Sequence, residues 1–583
     1  MSQASLGQDG TAPSPAEPAG TSAPASRQPD GTPVPGNGVS HAEGEPARAG
    51  PPQRTGAARA GGWRARAVRY APAGAAALVM LVLGWWGLAR DSAMGNDEVA
   101  TRWAALLSLR DLAHLLNNQD AVHGLYYLLM HVWVAVGSSP EVLRIPSVLA
   151  MAVAVALVAV LTGRLTGSGW AGLFAGLVMA LTPDISYYAQ TARSYALVIA
   201  CVVGATLVLV HALSAEEAGA RGARLVRWWL AYGALVTLGG YLNEMSLLVL
   251  AAHGITVLVA RYRRQVAEHW AVTATVSAIL VVPLVLISVR EDGAVTWIRR
   301  PRVRDLQILF HDYFGATTVV ALLLLVCAVI AVLPAGRQRR GPVTGSGARP
   351  ASSAGPIASA WWRGGVSLPS VAAPLLLVPA LLLILESLVT KPLYADRYVL
   401  YGEAGAAMLA GTGMWRIGRW LSRPFGDRPA LLWVPGLVIC VAALVLQLAP
   451  QQRARTPQSR LFDFGGPSRY VGAHARQGDG VLFFGTLFRK ARLGYPEDFT
   501  KTSDFALARS PQWAGNFRGV DKSSKQTLPL MLAHQRIWVL GRAPSGRLPW
   551  AGARAESVML HRQFTLIAER HFRGVVVTLW QRR

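Results

Sequence analysis

The chain has 583 residues, of which 52% are hydrophobic and 15% charged, with a mean hydropathy of +0.32, a balance that excludes an ordinary soluble enzyme and fits repeated membrane crossing. Its formal charge of +25 raises nucleic-acid binding, yet no basic helix or aromatic-basic module is present, and the arginines collect in short segments between apolar runs, where they act as topology signals. Cys201, Cys327 and Cys440 fall inside apolar runs without metal-ligand spacing, which excludes a disulfide framework or a zinc site. Lysine occurs only at Lys391, Lys490, Lys501, Lys522 and Lys525, a bias of GC-rich, actinobacterial-type sequences.

Residues 1–64 are rich in Pro, Gly, Ala, Ser and Thr and bury too little apolar surface to offset chain entropy, so a disordered tail is expected there. Arg64, Arg66 and Arg69 follow and hold this tail in the cytoplasm. A retained helix near 71–89 comes next, without a cleavage site. Further apolar runs long enough to span lie near 145–163, 169–187, 195–213, 227–243, 245–260, 270–288, 316–334, 368–390, 399–414 and 430–449, making eleven in all. Every even-numbered span returns to arginines: Arg164, Arg221/Arg224/Arg227, Arg261/Arg263/Arg264, Arg337/Arg339/Arg340 and Arg416/Arg419/Arg423. Segment 289–315 runs against this pattern with five arginines on the opposite side, which either touch lipid phosphate or signal a different topology.

Between the first two spans, leucines at 106, 109, 112, 115 and 116 and the apolar set from Leu125 to Trp133 predict two amphipathic helices lying on the outer leaflet. The competing reading makes 121–137 a short span and inverts everything after it. Residues 451–583 form a polar segment with strand-like runs at 480–484, 537–540 and 575–580, enough for one small α/β domain. An odd number of spans places it outside the cell, for acceptor binding or structural cover. Residues 65–450 then form the membrane domain, with 90–144 as its first extracytoplasmic loop.

Asp97 and Glu98 stand in Met94-Gly95-Asn96-Asp97-Glu98-Val99, just beyond the first span, where ionised side chains are costly unless they work. After them come Asp120-Ala121-Val122-His123-Gly124-Leu125-Tyr126-Tyr127, Glu141-Val142-Leu143-Arg144-Ile145-Pro146-Ser147, Tyr188-Ala189-Gln190-Thr191-Ala192-Arg193-Ser194-Tyr195 and Ala395-Asp396-Arg397-Tyr398. In this order and sidedness the chain resembles the GT-C membrane glycosyltransferases, and most the family 39-like protein mannosyltransferases and aminoarabinose transferases. The fold expected is an α-helical polytopic membrane protein with about 11 transmembrane helices and a small C-terminal extracytoplasmic α/β domain.

The resemblance implies a sugar donor linked to polyprenyl phosphate and an outward-facing site. Displacing lipid phosphate needs a carboxylate to take the acceptor's proton and cations to hold the leaving group. Asp97 is the expected general base, its alternative being a cap for the following helix. Glu98 supports it or contacts a metal, against plain solvation. Arg193 and Arg397, the latter with Lys391, Tyr394 and Tyr398 near it, hold the donor phosphate, against membrane-interface anchoring. Asp120 and His123 share a helical face for the sugar or a divalent cation, against solvation. Val122-His123-Gly124 departs from a His-Pro-Pro stretch of relatives, and Asn243-Glu244 stands where a histidine is often found. Glu244 substitutes as an oxygen ligand or hydrogen-bonds Tyr241, so metal dependence stays open and no other cofactor is implied. The expected activity is inverting transfer of a single sugar, mannose by default, to a hydroxyl of an extracytoplasmic protein, cell-wall glycan or lipid. Partners are the donor lipid, the bilayer and the acceptor, with no nucleic acid. The rival class is a transporter or flippase of lipid-linked sugars, against which stand the lack of internal repeats and the polar residues gathered at one face.

Overall fold

The computed structural model describes residues 56–89, 93–291, 297–334, 365–425, 428–542 and 554–583. The predicted tail up to residue 55 and the arginines at 337, 339 and 340 lie outside them. Helices coincide with all eleven predicted spans: α1 (Gly56–Trp85), α5 (Pro140–Thr166), α6 (Gly169–Leu181) continued by α7 (Pro183–Ala189), α8 (Tyr195–Glu217), α9 (Ala223–Leu242), α10 (Val249–Val259), α11 (Arg264–Val289), α13 (Thr318–Val332) and, beyond the undescribed stretch, Leu368–Val389, Glu403–Ser422 and Pro429–Leu446. Among the described residues, five of these are long and apolar enough to cross a membrane by length and composition. A sixth arises if α12 (Val303–Phe314) and α13, bent by 71°, are one broken span. The third predicted span is two helices because Pro183 cannot donate to the preceding turn and restarts the helix at its first position.

Helix Glu403–Ser422 runs through the middle of the bundle, and its sequence explains why. Glycine and alanine dominate its first three turns, and a Cβ added at Gly411 or Gly413 would collide with the backbone at Ala175 of α6 or at Cys327 of α13. In lipid, where association depends on close packing, such small residues let neighbouring backbones touch.

The segment between α1 and α5 forms three helices where two were expected: α2 (Asn96–Leu106), α3 (Leu109–Asn118) and α4 (Gly124–Trp133). The break at Leu107 follows from Ser108, whose hydroxyl accepts the Asp111 N–H at 3.1 Å and caps α3. Leu112 and Leu115 are buried while Leu106 and Leu109 are exposed, as amphipathic helices require. At 10 residues α4 is about 15 Å long, half of the ~30 Å hydrocarbon core. It is shorter than the crossing helix that the competing reading places at 121–137.

The C-terminal region carries a five-stranded sheet in the order β2-β1-β5-β7-β6. The predicted runs are its three central strands, β1 (Asp479–Phe483), β5 (Arg536–Gly541) and β7 (Val575–Arg582), with β1 and β5 parallel and β5 and β7 antiparallel. Two further strands, β2 (Thr502–Ser503) and β6 (Phe564–Phe572), flank them, and a separate pair is formed by β3 (Leu507–Arg509) and β4 (Val520–Asp521). Strand β6 is an edge whose side chains are mostly exposed, so its sequence lacks an apolar run.

This region packs on the α2 end of the bundle and is tied to it by specific bonds. Tyr495 accepts the Met94 N–H at 2.7 Å, and Arg102 donates to the Gly494 carbonyl at 3.0 Å. Arg460 donates to the Thr191 hydroxyl at 2.8 Å and the Gln190 carbonyl at 2.9 Å.

Candidate active site

The site is assembled on the first turn of α2. Gly95 precedes the helix, so Asp97 and Glu98 sit among its free N–H groups, where the helix dipole favours negative charge. The two acids then part company.

Glu98 is 2% exposed and fully committed. Arg144 of α5 grips both its oxygens, at 2.8 and 2.9 Å, the Ala192 N–H donates at 3.0 Å, the Gly95 N–H at 3.1 Å, and Arg460 stands 3.8 Å away. Burial alone would raise its pKa, but Arg144 and then Arg460 outweigh it and hold the carboxyl at about 2. Of the expectations for Glu98, the geometry leaves the supporting role: its oxygens are taken by Arg144 and backbone N–H groups, so it is neither solvated nor open to a metal. It is a clamp that fixes α2 to the loop carrying Arg193.

Asp97 points the other way. Its Oδ1 accepts from the Asn96 amide at 3.0 Å. Burial raises its pKa, yet Arg193, Arg397 and Lys490 surround it and drive the carboxyl well below the usual range. It is neither the first cap of α2, since Gly95 holds that position, nor part of a closed ion pair within 4 Å among the described residues. An ionised carboxylate thus faces three cations drawn from three distant segments.

Arg193 is 5% exposed, in the loop between α7 and α8. Its Nη1 donates to the Tyr127 hydroxyl at 3.0 Å, and Tyr127 in turn donates to Asp120 in a short bond. Arg193 Nη1 lies 3.8 Å from Asp120. Arg397 sits in a single turn, Asp396–Tyr398, with its guanidinium 4.6 Å from the Trp297 ring centroid and 5.6 Å from that of Tyr398. The Nε groups of Arg193 and Arg397 are both buried without an acceptor.

Asp120 and His123 are brought together, though not on a regular helical face. Asp120 has the left-handed φ of 66°, stabilised by Glu291, whose oxygens accept the Asp120 and Ala121 N–H groups at 2.7 and 3.0 Å. His123 Nε2 then lies 4.0 Å from Asp120. Burial and then Arg193 pull the His123 pKa down to about 4, against Asp120 and Asp97, so the imidazole is neutral near pH 7. Both residues are buried or partly buried, which removes the solvated reading. Glu244 stands apart, accepting from Ser288 at 2.7 Å, while Tyr241 donates to Leu280 and not to Glu244. Lys391 is exposed after helix Leu368–Val389, and it is Lys490 that stands against Asp97.

Asp120 is already engaged by Tyr127 and Arg193, and among the described residues no three His, Cys, Asp or Glu side chains form a group able to hold a metal. The donor set does not fit a divalent cation.

Lys490 is the residue that sequence reasoning missed. It comes from the C-terminal region, 9% exposed, with Nζ 3.5 Å from the Asn96 carbonyl and 4.8 Å from the Phe517 ring centroid. Burial pulls its pKa down to about 8, against the pull of Asp97 and Asp120. The rarity of lysine in this chain was the available signal. Arg144, Arg460 and Tyr127 were also missed as partners, since nothing local marks an arginine that will meet a carboxylate tens or hundreds of residues away.

Residues 123–287 match the family model described as dolichyl-phosphate-mannose-protein mannosyltransferase. No curated protein sequence matches the chain. In structure, the chain is similar to ArnT from Cupriavidus metallidurans bound to undecaprenyl phosphate, with a TM-score of 0.51 at 14% identity over 86% of this chain and 96% of that one. It also aligns with the Archaeoglobus fulgidus oligosaccharyltransferase, with a TM-score of 0.43 at 11% identity over 82% of this chain and 70% of that one. The arabinofuranosyltransferase AftD from Mycobacteria aligns with a TM-score of 0.45 at 14% identity over 87% of this chain and 39% of that one. The likeness to ArnT concerns the fold, and the family model covers the stretch from His123 through α11.

Proposed function

We propose that this membrane protein, which has the GT-C glycosyltransferase fold and a mannosyltransferase-like segment at 123–287, transfers a single sugar from polyprenyl phosphate to an extracytoplasmic hydroxyl. One observation carries the reading: Asp97 lies in the field of Arg193, Arg397 and Lys490, and two of these cations keep buried N–H donors without acceptors among the described residues. A phosphate supplies the missing oxygens. The ArnT relative was solved with undecaprenyl phosphate, which supports the same lipid class here. Mannose is the sugar the family description favours.

In the reaction the acceptor oxygen attacks the anomeric carbon, the bond from that carbon to the phosphate oxygen breaks, and the electron pair leaves with the lipid phosphate. The acceptor proton passes to Asp97. A single displacement inverts the anomeric centre. Before the donor arrives, the cations hold Asp97 at low proton affinity. A bound phosphate neutralises them, which raises that affinity when a base is required. The even-span arginines put this end of the bundle, with the C-terminal sheet, outside the cell.

The decisive experiment follows label from a panel of radiolabelled polyprenyl-phosphate sugars in right-side-out and inverted vesicles. Transfer to an acceptor from one donor, on the outer face, is expected. Movement of intact sugar lipid between leaflets, without transfer, would replace the reading with transport.

Two further results are expected. Arg397→Ala raises the donor KM on the order of 10- to 100-fold, the worth of hydrogen bonds to a charged group, whereas Arg397→Lys recovers only part because one ammonium replaces a planar fork. Because Lys490 loses its charge as pH rises through about 8, kcat/KM falls on that limb, and Lys490→Arg moves the limb upward. An unchanged limb in Lys490→Arg removes Lys490 from donor binding.

A further inference from the structure

A cavity of about 380 Å³ opens where α7 and α12 meet the segment leading into the C-terminal sheet. That is near the lower end of the ~300–1,000 Å³ range of ligand sites, room for a sugar ring or two. None of Asp97, Arg193 or Arg397 lines it. One wall carries Asp184, Tyr187 and Asp312, and the other carries Arg453, Ala454 and Arg573.

The acidic wall is left wanting donors. Asp312 Oδ2 is buried without a partner among the described residues. Unpaired buried oxygens are costly, so the wall is built for a ligand that supplies O–H or N–H groups. Arg453 and Arg573, which line the same cavity, offer N–H donors. A small neutral molecule that donates and accepts at each position meets both walls, and that is a saccharide.

The cavity is also coupled to the catalytic loop. Helix α7 runs about 8 Å from Asp184 to Ala189, and the loop beyond it carries Arg193. Arg460 ties the two together: its guanidinium lies 4.6 Å from the Tyr187 ring centroid while it holds Gln190 and Thr191 and approaches Glu98. We infer that this cavity seats a sugar ring of the acceptor, so that the acceptor is a glycan and not a peptide. The inference rests on the transfer reading above and names its substrate class.

The test uses the full chain in nanodiscs and saturation-transfer NMR with methyl mono- and disaccharides of mannose and arabinose, beside a Ser/Thr-rich peptide. At least one saccharide is expected to bind wild type and Asp97→Asn alike. Asp312→Asn and Arg573→Ala each weaken it tenfold or more, and Ala454→Trp, which fills the cavity without removing a charge, abolishes it. In transfer assays the same variants raise the KM for glycan acceptor and leave the donor KM unchanged. Absence of saccharide binding, equal binding by Ala454→Trp, or pocket-dependent binding of the peptide alone overturns the inference. Normal transfer with an unchanged acceptor KM in Ala454→Trp sinks the cavity and spares the transfer reading. Wild-type transfer by Asp97→Asn sinks Asp97 as the base and leaves saccharide binding standing.

Discussion

Asp97→Asn is expected to reduce kcat by about 10²- to 10⁴-fold, the usual contribution of a positioned general base. Asparagine preserves the shape and the Asn96 contact but takes no proton. It also removes the negative charge that competes for Arg193, Arg397 and Lys490, so donor binding stays intact or tightens. Loss in kcat without a rise in donor KM separates a base from a residue that merely shapes the site. The pH profile adds a second check with a fixed sign. The Asp97 pKa is depressed, so its carboxylate survives below the pH at which an ordinary aspartate protonates, and kcat/KM stays flat through that range. In kcat, measured with donor bound, the acid limb moves to higher pH because the phosphate cancels the cations. A kcat for Asp97→Asn within tenfold of wild type, or acid limbs that coincide in the two profiles, removes Asp97 from the role.

The parts legible in sequence were those written in local pattern. Apolar runs of sufficient length gave the eleven helices, and Asp97, Arg193 and Arg397 were exposed as candidates by charge beside apolar spans. Their mutual proximity follows from the fold, where all three meet through connecting segments at one end of the bundle. Lys490 was not legible because its partner segment is 394 residues away and its own neighbourhood, Phe488-Arg489-Lys490-Ala491, reads as an ordinary polar turn. The different tasks of Asp97 and Glu98 were not legible for the converse reason. Adjacent acids look equivalent in sequence, but on a helix they point about 100° apart, so one reached the cation ring and the other reached Arg144. The break between α2 and α3 was written in Ser108 and Asp111, a capping signal hidden within a continuous leucine pattern. Strand β6 carried no signal because an exposed edge strand needs no apolar face.

Glu98→Gln should destabilise the protein by about 3–5 kcal/mol, the cost of leaving one partner of a buried ion pair uncompensated. Arg144 is 5% exposed and also donates to the Ala93 carbonyl at 3.1 Å, so it cannot swing into solvent when its partner is neutralised. Arg144→Gln should cost less, because Arg460 and the Gly95 and Ala192 N–H groups still answer Glu98. Together, Glu98→Gln and Arg144→Gln should cost less than the sum, since neither member of the pair is then left buried without the other, although Arg460 remains nearby. Unfolding midpoints of the purified single and double variants in one detergent measure this. Singles within 1 kcal/mol of wild type would show that the pair is not a clamp. The clamp reading also has a functional consequence that a purely structural pair would lack. Glu98 holds the Ala192 N–H, and Thr101 donates to the Ala192 carbonyl at 2.9 Å, so α2 grips the residue next to Arg193 from both sides. Releasing one grip lets Arg193 drift from Asp97. Folded Glu98→Gln, assayed well below its melting temperature, should therefore show a raised donor KM, and Arg193→Ala combined with it should add little further loss, because Arg193 is already displaced.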